Sequence, residues 1–389
     1  MLLRRVRLPA LAAAVFLMWV APATGADRAG LKQSVTRTIR PLMARYGIPG
    51  MAVGVVAGGE GLVFNFGVAS KETGQPVADD TLFEVGSDTK TFTATLAAYA
   101  VLSGQLDLSD PVSRHLPTLK GSAFDQVRLL DLGTHTAGGL PLQVPDGIAN
   151  DGQLVDYFRS WKPAYAPGTT RVYSNPSIGL LGWIAARSLG GDFVPVMEGR
   201  LFPALGLTHT YLVVPAAQQA RYAQGYTAKG SPVRLAPGVM GAEAYGVRTT
   251  AADMLRFVEA NLGMLPLDAQ WRRALLATHT GYYQVGPMTQ DLIWEQYPFP
   301  VALPVLLAGN APRMLFEANP AVALHPPQPP RDDVLLNKTG STNGFGAYVA
   351  FAPKAGVGIV LLANRSYPIE GRVTAGYEIL RQLEGPETE

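Results

Sequence analysis

Gly86-Ser87-Asp88-Thr89-Lys90 opens a run, TFTATLAAYAVL at residues 91–102, in which Phe92, Leu96 and Tyr99 recur at helical spacing. A serine on a turn at a helix entrance has two readings. It can be an N-cap, accepting a backbone N–H of the first turn, or it can be a nucleophile held there. A cap favours Glu or Gln three residues on, and that position is Lys90. A cation in the first turn opposes the helix dipole, at a cost of about 0.3–1 kcal/mol. The same field, together with burial, lowers the amine's pKa and makes a neutral base accessible. A spacing of three puts Lys90 on the face of Ser87. Ser-x-x-Lys is common chance text, so the pair needs company.

Two further motifs follow in order. Tyr173-Ser174-Asn175 precedes Pro176 and an apolar helix carrying Leu180, Leu181 and Ile184. Asn175 before a proline fits an N-cap with Pro at the first helical position. A phenol near a cationic amine has its anion favoured, which makes Tyr173 a candidate base. Lys338-Thr339-Gly340-Ser341 ends a strand led by Val334-Leu335-Leu336. The structural reading of Lys338 is a solvated edge charge. The functional reading uses Gly340 for close backbone approach and the strand's N–H groups for β-like hydrogen bonds to a ligand. A hydroxyl, two proton acceptors and a cationic strand are the parts of acyl transfer through a serine ester.

Outward from these motifs, the chain predicts strands at both ends and helices between. Asp27 to Tyr46 reads as a helix, with Pro41 expected to kink or divide it. Met51 to Ala57 and Leu62 to Val68 flank Gly58-Gly59 as a hairpin. Val334–Thr339, Ala347–Phe351 and Val357–Ala363 read as strands, and Val373, Tyr377, Leu380 and Leu383 mark a closing helix. The expected fold is α/β of the α+β type. An antiparallel sheet built from both termini is flanked by helices, and a mainly helical lobe is inserted from about residue 104. Pro312–Pro330 and Ala236–Tyr245 read as irregular connections.

Composition narrows the class. Arg4, Arg5 and Arg7, the apolar stretch Leu8–Val20 and Thr24-Gly25-Ala26 have the layout of a signal peptide over residues 1–26. The stretch is short for a membrane span, although an uncleaved anchor is the alternative. Removing the leader takes the formal charge from +2 to −1, which leaves no basic surface for nucleic acid. Residues 27–389 are then one exported catalytic unit. The chain has no cysteine, hence no disulfides and no thiolate chemistry. His115, His135, His209, His279 and His325 show no metal-binding spacing, so structural or surface roles are expected and no metal or other cofactor.

Longer strings then identify a resemblance. Ile48-Pro49-Gly50-Met51-Ala52-Val53, Gly86-Ser87 with Lys90-Thr91-Phe92-Thr93, the stretch TAGGLPLQVP at 136–145, Ala242-Glu243-Ala244-Tyr245-Gly246-Val247, Lys338-Thr339-Gly340, Tyr367-Pro368 and Arg372 span the mature chain. In these the chain resembles the class C serine β-lactamases, the AmpC-type cephalosporinases. The resemblance implies the serine β-lactamase/DD-peptidase-like fold with a site between two lobes. It implies Ser87 as nucleophile, Lys90 and Tyr173 sharing its proton, and Lys338 beside them. It implies an oxyanion hole from the backbone N–H groups of Ser87 and Ser341. It implies Gln143 and Asn175 at the substrate's side-chain amide and Tyr245 on the same wall. Lys338 and Thr339, with Gly340, Ser341 and Arg372, would then face the β-lactam carboxylate.

The chain departs from that pattern at Ser174, where the family commonly has alanine, and at Ile369, where many members carry asparagine. Between Gln284 and Ala323 the match fades. The expectation is a periplasmic, monomeric hydrolase of cephalosporins and penicillins, whose partner is the small lactam, with neither nucleic acid nor membrane involved. A DD-peptidase or carboxylesterase with the same site, and a sensor that stays acylated, are the rival readings.

Overall fold

The strands legible at the two ends of the chain meet in one antiparallel sheet of nine strands. The computed structural model describes residues 25–236 and 238–383, so the leader read at 1–26 lies outside the described residues but for its last two. The sheet's strands are β1 (Gly50–Ala57), β2 (Glu60–Gly67), β3 (Gly281–Val285), β4 (Met288–Gln290), β5 (Glu295–Pro298), β6 (Val322–Gln328), β7 (Val334–Ser341), β8 (Gly346–Ala352) and β9 (Val357–Ala363). Their order across the sheet is β6-β3-β4-β5-β7-β8-β9-β1-β2.

Strands β8, β9 and β1 are apolar almost throughout, and β7 over its first half, because both of their faces are covered. Alternate residues serve different cores. Ala52 and Val56 of β1 join a cluster shared with the helical region, whereas Val53 and Val55 join a second cluster on the opposite face. On the first face α5 (Ala251–Asn261) lies close to the sheet where side chains are missing. A Cβ on Gly54 would stand 3.1 Å from Leu255, and one on Gly358 would stand 2.5 Å from Val258. On the second face α1 (Gly25–Tyr46) and α7 (Ile369–Leu383) pack together over Tyr348, Ala350 and Ile359.

Three sequence expectations are corrected. Helix α1 continues through Pro41 as one element. Pro41 and Arg37 are both exposed, so water can take the carbonyl that proline leaves free, while Val35, Ile39 and Leu42 keep the other face docked. The stretch 312–330 is not structureless. It contains a short helix at Arg313–Phe316 and the edge strand β6, and two of that strand's residues are Pro326 and Pro327. Proline is tolerated there because an edge strand has one unpaired side. The stretch 236–245 ends in a helical turn, α4 (Gly241–Tyr245).

Between β2 and β3 the chain is mainly helical. Helix α2 (Thr89–Leu102) runs through the middle of this region and is buried on nearly every side, its threonines and Lys90 included. It packs on α3 (Asn175–Ser188), α4 and α6 (Ala269–Ala277), with Tyr99 stacked on Trp271 at 3.9 Å. A helix gripped on all sides is a rigid mount for whatever its first turn carries.

Candidate active site

Ser87 lies in a single 3₁₀ turn, Gly86–Asp88, that leads into α2. Its hydroxyl caps nothing, since neither the turn nor α2 has a side-chain cap. It instead accepts a hydrogen bond from Lys90 Nζ at 2.9 Å. The N-cap alternative for Ser87 is thereby excluded. The turn lies backbone to backbone against β7. Gly86 has φ +52°, and a Cβ there would come within 2.5 Å of Ser341 O. A Cβ on Gly340 would fall 1.8 Å from Val85 O. Only glycine fits either position.

β7 pairs with β5 from Val334 to Asn337 and with β8 through Ser341. Residues Lys338–Ser341 therefore have one open edge, beside the Ser87 turn. Thr342 N–H donates to Phe345 O at 3.1 Å, which sets the alternation. Residues 338, 340 and 342 bond towards β8, and Thr339 and Ser341 direct their N–H and C=O groups to the open edge. The N–H of Ser341 thus borders the site beside Ser87.

Lys90 is fully buried, and its Nζ also donates to Ala244 O of α4 at 2.8 Å. Burial lowers its pKa to about 8, against the opposing pull of Tyr173. The Tyr173 ring lies between two ammonium groups, each 5.1 Å from its centroid: Lys90 and Lys338. The phenol oxygen is buried without a hydrogen-bond partner. Burial alone would raise its pKa, but the charges of Lys338 and Lys90 and the Ser87 hydroxyl outweigh it, so the phenol lies below its ordinary value. Lys338 is 1 % exposed, which rules out a solvated edge charge. Burial would lower its ammonium pKa, yet Tyr173, Glu295 and Asp88 hold it above the usual value. Its Nζ donates to Thr339 O at 3.1 Å.

Tyr173 is located by its neighbours on both sides. Ser174, not Asn175, is the N-cap of α3, and its hydroxyl accepts from Ser177 N–H at 3.1 Å. That correction frees the Asn175 side chain. Its Nδ2 donates to Gln143 Oε1 at 2.9 Å, while its Oδ1 is buried and unpartnered. Gln143 is exposed at the rim and Tyr245 half-buried on α4. Thr339 is nearly buried, and Ser341 is exposed.

Arg372, expected at the substrate carboxylate, is buried against the end of β7. Its Nη1 donates to Gly340 O, to Ser341 Oγ at 2.9 Å and to Ala347 O at 3.3 Å, and its Nη2 donates to Tyr367 O. These bonds brace the end of β7, while its Nε has no partner. Ile369, where the family often has asparagine, packs instead on the cluster under α7.

Sequence reasoning missed the groups beneath Tyr173. Arg171 Nη2 meets Glu295 Oε1 at 3.2 Å, and Glu295 Oε1 lies 4.0 Å from Lys338 Nζ, all three fully or nearly buried. Arg171 also donates to Gln290 Oε1 and Met314 O, both at 2.6 Å. The His135 ring stacks on Tyr173 at 4.4 Å, and its Nδ1 accepts from Ser174 N–H. Burial, then Arg171, Lys90 and Lys338, hold that imidazole neutral, with its pKa well below the usual range. Arg171 could have been suspected from its place two residues before Tyr173. Glu295 lies where the family match fades, and no signal pointed to it.

Comparison with known proteins agrees with this geometry. The family model described as Beta-lactamase matches residues 35–384. A β-lactamase of Pseudomonas fluorescens is 50% identical over 354 residues, 91% of this chain and 99% of that protein. A solved class C β-lactamase in complex with cefoxitin has 51% identity and TM-score 0.90, covering 92% of this chain and 99% of that one. A solved D-alanine carboxypeptidase AmpC from Burkholderia cenocepacia has 56% identity and TM-score 0.88, covering 92% and 100%.

Proposed function

The chain belongs to the β-lactamase family, and from that premise we propose that it opens the β-lactam ring of cephalosporins and penicillins through an acyl-enzyme on Ser87. The observation that carries this reading is the 2.9 Å hydrogen bond from Lys90 Nζ to Ser87 Oγ beside the open edge of β7. Ser87 Oγ attacks the lactam carbonyl as its proton passes to the Lys90/Tyr173 pair. The carbonyl oxygen takes the negative charge between the N–H groups of Ser87 and Ser341, each such donor being worth about 3–4 kcal/mol in the transition state. As the C–N bond breaks, Tyr173 returns a proton to the leaving nitrogen. Water then attacks the ester, the pair takes its proton, and Ser87 leaves protonated. Lys90 and Tyr173 titrate as a unit under the field of Lys338, so the proton belongs to the pair.

Binding follows from the remaining groups. Asn175 Oδ1 offers an acceptor and Gln143 a rim contact to the substrate's side-chain amide, with Tyr245 as the wall. The open edge at Thr339, Gly340 and Ser341 receives the substrate backbone and carboxylate, drawn by the field of Lys338, and Arg372 keeps that edge in place. The leader at 1–26 marks the chain for export, so we read the mature unit, residues 27–389, as a periplasmic monomer. No helix among the described residues is long and apolar enough to cross a membrane.

Wild-type protein should hydrolyse a chromogenic cephalosporin, and Ser87→Ala should lose at least about 10⁴-fold in kcat/KM. An unimpaired Ser87→Ala variant would end the serine mechanism. The carboxypeptidase description of the Burkholderia cenocepacia relative favours a second reading, D-alanine release from a D-Ala-D-Ala peptide by the same serine. Assaying that peptide beside the cephalosporin separates the two.

A further inference from the structure

Between Ser87 and Lys90 stands an acid that the acyl-transfer scheme does not use. Asp88 is 1 % exposed, and neither of its carboxyl oxygens has a hydrogen-bond partner. Its backbone is committed to the turn, the N–H donating to Val85 O at 3.2 Å and the carbonyl accepting from Thr91 Oγ1 at 2.7 Å. Leaving a buried carboxyl without partners is costly, and other buried acids of this protein avoid it. Asp131 holds Arg128 at 2.8 Å, and Asp253 accepts from His209 N–H and Thr210 Oγ1. Asp291 is unpartnered as well, but no charge faces it, and burial alone pushes its carboxyl up.

Asp88 is surrounded by charge. The turn that carries it packs against α2, α4, β7 and β8. Facing it are Lys338 of β7, Arg372 of α7, Lys90 of α2 and Tyr348 of β8, with Glu295 of β5 the weakest of the charges that act on it. The two titratable groups of α4 are turned elsewhere, Glu243 onto Gly182 and Tyr245 over Gly241. Burial, offset in part by Lys338, Arg372 and Lys90, pushes the carboxyl up to about 8. Asp88 is therefore a neutral acid at pH 7, set among cations.

We propose that Asp88 is a positioning residue for anionic substrates, acting through Lys338. As a neutral acid it leaves the field of that ammonium to the substrate carboxylate, and once ionised it takes the field for itself. The inference rests on the acyl-transfer reading above, because the carboxylate it governs is the lactam's. Ionisation releases one proton to solvent and alters no covalent bond. Two anions sharing one cation, under partly buried screening, differ by about tenfold in affinity from one anion alone.

The test measures KM from pH 6.5 to 9.5 for wild type and Asp88→Asn, on a cephalosporin and on its neutral carboxylate ester. On the anionic substrate the ratio of wild-type to variant KM should rise about tenfold across pH 8. On the ester the ratio should stay level. A level ratio on the anionic substrate, with active wild type, overturns this inference alone. A ratio that climbs equally on both substrates overturns the route through Lys338. Wild type that turns over neither substrate overturns both this inference and the reading beneath it. Asp88→Val, which removes the polar atoms, must repeat the Asp88→Asn profile and guards against a folding defect in the first variant.

Discussion

Tyr173 and Tyr222 are both buried phenols, and their surroundings drive them in opposite directions. The Tyr173 cluster touches α4 through Lys90, which donates to Ala244 O at 2.8 Å. Beside Tyr222, Arg248 donates to Gly246 O at 2.6 Å, just past the end of α4. The Tyr222 hydroxyl donates to Glu84 Oε1, and burial followed by that carboxylate raises its pKa. Lys338, Lys90 and the Ser87 hydroxyl lower the Tyr173 pKa against burial. A phenol facing a carboxylate is a fixed donor. A phenol facing two cations is suited to act as a base.

Removing each hydroxyl breaks the comparison most directly. Tyr173→Phe should lower kcat on a cephalosporin by about 10²–10⁴-fold, the range for a positioned acid–base group. Tyr222→Phe should leave kcat within about threefold, while the lost hydrogen bond to Glu84, which keeps Leu235 N–H, costs about 1–3 kcal/mol of stability in a denaturant melt. Equal losses of kcat in the two variants would erase the distinction between them.

Glu295 sharpens it further. It is the anion under Tyr173, 3.2 Å from Arg171 and 4.0 Å from Lys338, and it raises the phenol's pKa. Glu295→Gln should let that pKa fall further. Activity needing the phenolate is lost as pH falls through this pKa, so the acid limb of kcat should move down by about one unit. The same change strands Arg171, with an expected loss of about 3–5 kcal/mol. An acid limb that moves up, in protein still folded, would show that Glu295 does not act on Tyr173.

These contrasts explain what was legible beforehand. Strands β1, β8 and β9 could be read because a strand covered on both faces is apolar throughout, while β2 and β7 showed shorter apolar runs, Leu62–Phe64 and Val334–Leu336. β6 was hidden by its prolines, which an edge strand tolerates and a central one does not. Ser87 and Lys90 were legible as a pair at a spacing of three, and Tyr173 and Lys338 from the short motifs they head, Tyr173-Ser174-Asn175 and Lys338-Thr339-Gly340. The assignment of Asn175 as cap failed because Ser174 competes for the same N–H groups, and only the backbone geometry decides between them. Arg372 was recognisable as important but not as a brace, since its donors go to carbonyls, which every sequence has. Glu295 and Asp88 act through burial and distance across the sheet, which no local pattern encodes.

The effect smallest on turnover concerns the acids on either side of Ser87. Glu84 is paired with Tyr222 and with Leu235 N–H at 2.7 Å, whereas Asp88 has no partner. The native carboxyl of Asp88 titrates at about 8 against an ordinary 3.8. Between those values the unfolded chain has released a proton that the native state retains, so wild-type stability falls as pH rises through that window. Asp88→Asn cannot lose that proton, and its stability lacks this contribution. The Tm of the variant should therefore gain on wild type between pH 5 and 8, by about 5 °C, and the gap should level off above pH 8. A Tm difference independent of pH would mean that Asp88 is already ionised in the native state, and its likeness to the paired Glu84 would then replace the contrast.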